Sequence, residues 1–165
     1  MIISLMAAKS DNNVIGNNSE IPWKAEGEQF LFKAMTYNHW LLVGRKTYEA
    51  MGKLPDRKYA VVSSSTEEQI DGDVCFFKSI DSALNYLSDK TDLVVVSGGG
   101  QIYSDVISQA DVIHLSVIHC QAEGNVFFPA IPKDFKMVFS QDFRSNIDYT
   151  YQIWTKASFY SKGEA

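Results

Sequence analysis

The chain has two cysteines in 165 residues, Cys75 and Cys120, and no CxxC pair. A disulfide framework and a cysteine zinc site are therefore excluded as organising devices, and reduced thiols are expected. Its three histidines, His39, His114 and His119, stand at no metal-ligand spacing with cysteines or carboxylates, so no metal is expected. His114 and His119 fall in an apolar run and read as strand residues with local partners. No Walker sequence and no Ser/His/Asp motif is present. Positive charge is also short: 15 Lys and Arg face 20 Asp and Glu, for a net charge of -5. This excludes general binding to nucleic acid or to an anionic membrane. The apolar N-terminal run is too short to span a bilayer and lacks a basic flank, which predicts a soluble, cytoplasmic protein. Repeats, low-complexity stretches and interdomain linkers are missing too.

Apolar residues are plentiful. Hydrophobic residues make up 45% and aromatics 13%, enough for a substantial core in one domain. The apolar runs are short: residues 2–8, 40–44, 59–63, 74–77, 93–97 and 112–119. Unbroken runs of this length suit strands covered on both faces. Helical patterns over 25–36, 46–52, 79–88 and 101–109 lie between them, the third capped by Ser79 or Asp81. Alternation of this kind predicts an α/β fold with right-handed crossovers. The end differs, because 135–143 and 149–157, separated by RSNID, read as an antiparallel hairpin. The expected architecture is a single domain over 1–157, with a predominantly parallel sheet of about eight strands, that hairpin and four flanking helices. Residues 158–165 are expected to be a flexible tail. No amphipathic surplus suggests an oligomer, so a monomer is expected.

One charge is out of place. On a helix over 25–37, Glu28 shares a stripe with Leu31, Phe32 and Met35, while Glu26, Gln29 and Lys33 form the opposite, polar stripe. A carboxyl among Phe32 and Met35 loses solvent, and desolvation moves it toward neutrality, as acid–base chemistry requires. The alternative is a first-turn glutamate, half exposed and favoured by the helix dipole. Cations are misplaced as well. Arg45, Lys46, Lys53, Arg57 and Lys58 cluster against only Glu49 and Asp56, in an otherwise acidic chain. That suits a small anion, although a solvated basic loop has the same composition.

Three further features fall at strand ends, where open α/β sheets bind ligands. Arg45 and Lys46 begin a helix whose dipole they oppose, which makes sense if an anion docks there. SGGGQIY (97–103) lets backbone approach a phosphate or ring closely, or serves as a simple turn. Ser63–Ser65 offers hydroxyls, or turn chemistry alone. The loop VIGNNSEIPW (14–23) is apolar enough to be pinned on the core or to act as a lid.

Together these segments resemble the dihydrofolate reductases over nearly the whole chain. The resemblance rests on VIG…PW, on Glu28 with Phe32, on GRKT followed by YEAMG, and on LP-x-R at 54–57. S-GGG-x-x-Y and EG-N-x-x-FP at 123–129 complete it. What it implies is hydride transfer from NADPH to C6 of 7,8-dihydrofolate and protonation at N5, in support of one-carbon metabolism. In that family Glu28 is the ionisable active-site group, Ser116 holds a hydroxyl position that bonds the carboxylate, and Trp23 orders water nearby. Met6, Ala8, Ile21, Phe32, Met51 and Leu54 would form the pterin and benzoyl pocket, with Ser97 and Tyr103 beside it. Arg57 would grip the substrate's α-carboxylate in bidentate fashion. Arg45, Ser64 and Gln101 match the 2′-phosphate positions, and Lys46 and Thr47 match the pyrophosphate positions. Gly98, Gly99, Gly100, Gln101, Ile102 and Tyr103 would line the far side of the cofactor. Gly16, Gly44 and Ser63 complete its site, Ala8 and Ile15 would meet the carboxamide by backbone, and Gly98–Gly99 should be cis.

Three departures stand out. Glu28 replaces the Asp of most bacterial chromosomal enzymes and is followed by Gln29. Asn125 replaces an Asp that helps close the lid in some relatives, and Gln101 replaces a frequent Arg. Glu28 and Gln29, with the run MTYNHWLLVGRKT, make the chain resemble the trimethoprim-insensitive reductases of mobile elements. Two other readings keep the fold: a pyrimidine reductase of riboflavin synthesis, and a non-catalytic NADPH-binding module.

Overall fold

The computed structural model describes residues 1–16 and 21–159. The middle of the loop 14–23 and positions 160–165 of the expected tail lie outside the described residues.

Among the described residues, ten strands and four α-helices follow one another along the chain, with a 3-10 turn at Ile107–Gln109 finishing the helix expected over 101–109. They are β1 (Ile2–Ser10), β2 (Val14–Gly16), α1 (Glu28–Thr36), β3 (Trp40–Gly44), α2 (Arg45–Met51), β4 (Lys58–Val62) and β5 (Val74–Phe77), then α3 (Ile80–Ser88), β6 (Leu93–Val96), α4 (Gly100–Val106), β7 (Val112–Ile118), β8 (Val126–Phe127), β9 (Phe135–Phe143) and β10 (Tyr149–Lys156). Eight strands form one sheet in the order β5-β4-β3-β6-β1-β7-β10-β9. β10 pairs antiparallel with both β7 and β9, so it alone runs against the rest. The expected fold class is the observed one.

Alternation along the strands places neighbouring residues on opposite faces. Leu5, Leu42, Ala60, Val94 and Val96 point to one face, where they meet Ala83, Leu84 and Leu87 of α3 and Ile102, Tyr103 and Val106 of α4. Met6, Leu41, Val43, Tyr59, Val61 and Val95 point to the other, where half-buried Leu31 and Phe32 of α1 and Tyr48 and Met51 of α2 cover them.

The observed elements depart from expectation in three places. First, α1 starts at Glu28 rather than at residue 25, because Gly27 adopts φ 92 and breaks the helical path. Second, Met35 is exposed, so it does not help desolvate Glu28. Third, part of the loop 14–23 is strand. Val14–Gly16 pairs with Val126–Phe127 in a small antiparallel ribbon. Runs of three and two residues carry no readable periodicity, so only the pairing reveals them.

Candidate active site

The parallel strands deliver their carboxyl ends to one rim. The β3–α2 and β6–α4 junctions lie side by side there, with Gly44 N–H donating to Gly98 O at 2.8 Å and Ser97 N–H to Leu42 O at 2.9 Å. Three glycines permit this approach. A Cβ on Gly99 would come within 3.0 Å of Thr47 Oγ1, one on Gly100 within 2.5 Å of Val126 Cγ1, and one on Gly44 within 3.3 Å of Ile102 Cγ1. Gly98 takes φ 104, and the Gly98–Gly99 peptide is cis, as expected. The β2–β8 ribbon thus sits directly on the glycine turn, and Ile15 also lies over Gly100.

Neither α2 nor α4 has a side-chain cap at its N-terminus. Their first amides are free to meet an acceptor. Arg45 is exposed and pairs with Glu49 one turn on at 3.4 Å. Lys46 and Ser64 are exposed and Ser63 is half-buried. Gln101 donates to Asp105 at 2.9 Å, so its amide is engaged along its own helix. Backbone cradle, unshared amides and nearby cations match the chemistry of a dinucleotide phosphate. NADPH fits this rim, and the groups that would hold it are Arg45, Lys46, Thr47, Ser63, Ser64 and Gly98–Tyr103.

Glu28 opens α1 on the opposite side of β1. Burial raises its carboxyl pKa, and the Ser116 hydroxyl draws it back only in part. Ser116 is fully buried and its Oγ makes no well-formed hydrogen bond among the described residues. A contact that loose favours the carboxylate weakly, so desolvation dominates. Ser116 pairs in register with Ala8 of β1. Tyr103 and Tyr149 both feel the charge of the acid. Both phenols are pushed up by burial first and by the Glu28 charge second. Tyr103 donates its hydroxyl proton to Met6 O at 2.6 Å, which joins α4 to the strand lining the site. Trp23 is half-buried against the cluster of Ala25, Ile118 and Tyr149.

The segment leading into α1 is tied to the β9–β10 turn. Asn146 Nδ2 donates to Lys24 O at 2.6 Å, Glu26 N–H to Asn146 Oδ1 at 2.7 Å, and Ser145 Oγ to Glu26 O at 2.7 Å. Nothing in the local sequence of 24–26 signals these ties, because the partner residues lie about 120 positions away. Gly27 and Tyr149 escaped the sequence reading for the same reason.

Arg57 is 8% exposed, and each of its three nitrogens donates to an oxygen. Its Nε donates to Thr36 Oγ1 at 3.2 Å, one terminal nitrogen to Pro55 O at 2.7 Å, and the other to Lys33 O. Among the described residues no carboxylate forms an ion pair with it. One N–H remains on each terminal nitrogen, the pair that a bidentate carboxylate takes. A buried cation without a counter-charge calls for an anionic ligand. Of the expected pocket residues, Met6 is buried and Ala8, Phe32, Met51 and Leu54 are half-buried, whereas Ile21 is exposed. Among the described residues no group of three His, Cys, Asp or Glu side chains could hold a metal.

A mostly parallel sheet, a glycine cradle suited to a phosphorylated nucleotide and a desolvated acid across β1 are the class of site that an α/β nucleotide-binding enzyme presents. The chain belongs to the dihydrofolate reductase family, whose model matches residues 2–156. It is 63% identical to "Dihydrofolate reductase type 6" of Proteus mirabilis over 156 residues, covering 94% of this chain and 99% of the relative. It is 58% identical to "Dihydrofolate reductase type 1" of Escherichia coli over the same shares. Among solved structures it is similar to a dihydrofolate reductase of Enterococcus faecalis complexed with NADP(H) and RAB-propyl. The TM-score is 0.86 at 26% identity, covering 94% of this chain and 96% of that one.

Proposed function

We propose that this chain reduces 7,8-dihydrofolate to 5,6,7,8-tetrahydrofolate, with Glu28 as the acid of the site. The observation that carries the reading is the Glu28 carboxyl, raised by burial beside an unpartnered buried hydroxyl and across β1 from a nucleotide cradle. NADPH supplies the hydride when bound. Glu28 binds the polar edge of the pterin and holds a proton toward N5, because a desolvated carboxyl gains by sharing charge. Ser116 turns its free hydroxyl to the carboxylate and orients it. Trp23 limits water beside the acid. Met6, Ala8, Phe32, Met51 and Leu54 exclude water from the ring, and Arg57 offers its two remaining N–H groups to the glutamate tail.

Mixing protein, NADPH and dihydrofolate and following the loss of nicotinamide absorbance tests this directly. Turnover is expected, and none at micromolar enzyme rules the reading out. The pyrimidine reductase alternative has no need of Arg57, and a silent cofactor-binding module has no need of the Glu28–Ser116 pair.

Glu28 followed by Gln29, together with the similarity to typed reductases, supports a trimethoprim-insensitive enzyme. A trimethoprim titration is expected to give weak inhibition; nanomolar inhibition contradicts it. The same reading makes the protein a cytoplasmic monomer that binds other antifolates. No helix among the described residues is long and apolar enough to cross a membrane.

A further inference from the structure

The start of α1 has no side-chain cap of its own. Gly27 is its N-cap, and no side chain bonds the first amides. Ordinary caps are Ser, Thr, Asp or Asn, whose oxygen satisfies those donors. What meets Gly27 instead comes from the far end of the chain. A Cβ at residue 27 would stand 3.1 Å from Tyr149 Oη, and the left-handed φ of 92 would strain any other residue there. Tyr149 is itself 4% exposed. Its ring stacks on Phe143 with centroids 5.1 Å apart and planes 9° apart. It shares a cluster with Ala25 and Ile118, against which Trp23, Leu31 and Ala8 pack. The phenol is therefore a rigid floor under the turn that carries Glu28.

We propose that Tyr149 and Gly27 form a matched pair that seats the first turn of α1, and that Tyr149 is thereby a positioning residue setting how deeply the Glu28 carboxyl is buried. The inference rests on the proposed role of Glu28. Tyr149 touches no reacting atom; it acts through the backbone at 27 and through the water it excludes. Its phenol feels the Glu28 charge, and the residue before Glu28 is the one that its hydroxyl meets. Among the described residues the titratable groups coupled to Glu28 are Tyr103 from α4 and Tyr149 from β10, with the Ser116 hydroxyl from β7. Both phenols stay neutral through the working range because burial opposes their ionisation. A change in the pH profile on altering Tyr149 thus reports the carboxyl.

The test is the pH dependence of kcat/KM in Tyr149→Ala, Tyr149→Phe and Glu28→Gln. Removing the ring admits water to Glu28, so the alkaline loss of activity is expected to move at least about 0.5 pH unit toward acid in Tyr149→Ala. Tyr149→Phe keeps the wall and is expected to return most of that shift. An unmoved limb in Tyr149→Ala overturns the inference. If Glu28→Gln keeps the native limb, the reading of Glu28 fails instead, which separates the two failures. Should Tyr149→Ala not fold, a double-mutant cycle decides. The loss of kcat/KM caused by Gly27→Ala is expected to shrink at least about twofold in a Tyr149→Phe background, because the colliding hydroxyl is gone. Strict additivity overturns the matched pair.

Discussion

The two faces of the sheet are finished differently. On one, α3 buries Ala83, Leu84 and Leu87 and α4 buries Ile102, Tyr103 and Val106, so the helices close the core. On the other, α1 buries only Thr36 and α2 buries no residue, although both lie over fully buried Leu41, Val43 and Val61. Every acid and cation assigned to substrate comes from this second face or its rim. The contrast teaches that one face is built for stability and the other is left for a ligand to complete. Half-buried Leu31, Phe32, Met51 and Leu54 are apolar walls whose missing neighbours a flat heteroaromatic ring can supply.

The comparison can be broken at either face. The largest effect is expected on the closed one. Leu87→Ala should cost about 3–5 kcal/mol in urea unfolding, since it opens a cavity in a fully buried cluster. It should leave KM for dihydrofolate within about twofold. A stability loss below about 1 kcal/mol on the closed face, or a large KM change, would erase the distinction. Next comes Glu28→Gln, expected to lower kcat roughly 100-fold, the low end for a lost acid–base group. Its stability should move the other way. Burial holds the native carboxyl pKa above its unfolded value. The native state therefore binds the proton more tightly, and the stability this gives is full at low pH and fades as pH rises through the folded pKa. Glu28→Gln removes that loss, so its Tm should exceed the wild-type value at pH 8 more than at pH 4. Equal Tm differences at both pH values would mean that Glu28 is well solvated.

Arg57→Ala is expected to raise KM for dihydrofolate at least about tenfold, the worth of a charge-assisted pair, with kcat less affected. An unchanged KM would remove Arg57 from substrate binding and leave it a brace for Lys33 and Pro55. The smallest stability effect should belong to Met51→Ala, at about 1 kcal/mol, because half-buried side chains lose less on truncation. NADPH at 100 times its Kd should stabilise the protein by about 2.7 kcal/mol.

Sequence periodicity and turn chemistry made most of the sheet legible. The strands at 40–44, 74–77 and 135–143 fall where the apolar runs placed them, and Ser79 caps α3 by accepting from Ser82 N–H at 3.1 Å. Glu28 was legible as a charge on an apolar stripe, but its surroundings were not. Met35, its expected neighbour, faces solvent, while Tyr103, Ser116 and Tyr149 come from three distant elements. Helical spacing reports only neighbours on the same helix. The internal bonds of Arg57 were hidden for a related reason: two of its three acceptors are backbone carbonyls, which every residue type offers. The glycine run was ambiguous as sequence and becomes specific once Thr47, Val126 and Ile15 are seen to crowd it.

His119 shows what structural pairing looks like by contrast. It sits between Asp11 Oδ1 at 3.0 Å and Thr150 Oγ1 at 2.7 Å, joining the end of β1 to β10. His114 meets the Tyr151 hydroxyl at 2.5 Å, and burial lowers its pKa. His114 is a satisfied strand histidine, as its apolar setting suggested, whereas His119 lies one residue beyond β7, exposed and held by Asp11 and Thr150.

Infrared difference titration of the Glu28 carboxyl, with Glu28→Gln as the blank, measures the quantity on which the chemistry turns. A midpoint clearly above the ordinary carboxyl value of 4.5 is the expected result. A midpoint at or below 4.5 would show the group to be hydrated or paired, and the acid role assigned to it would be lost.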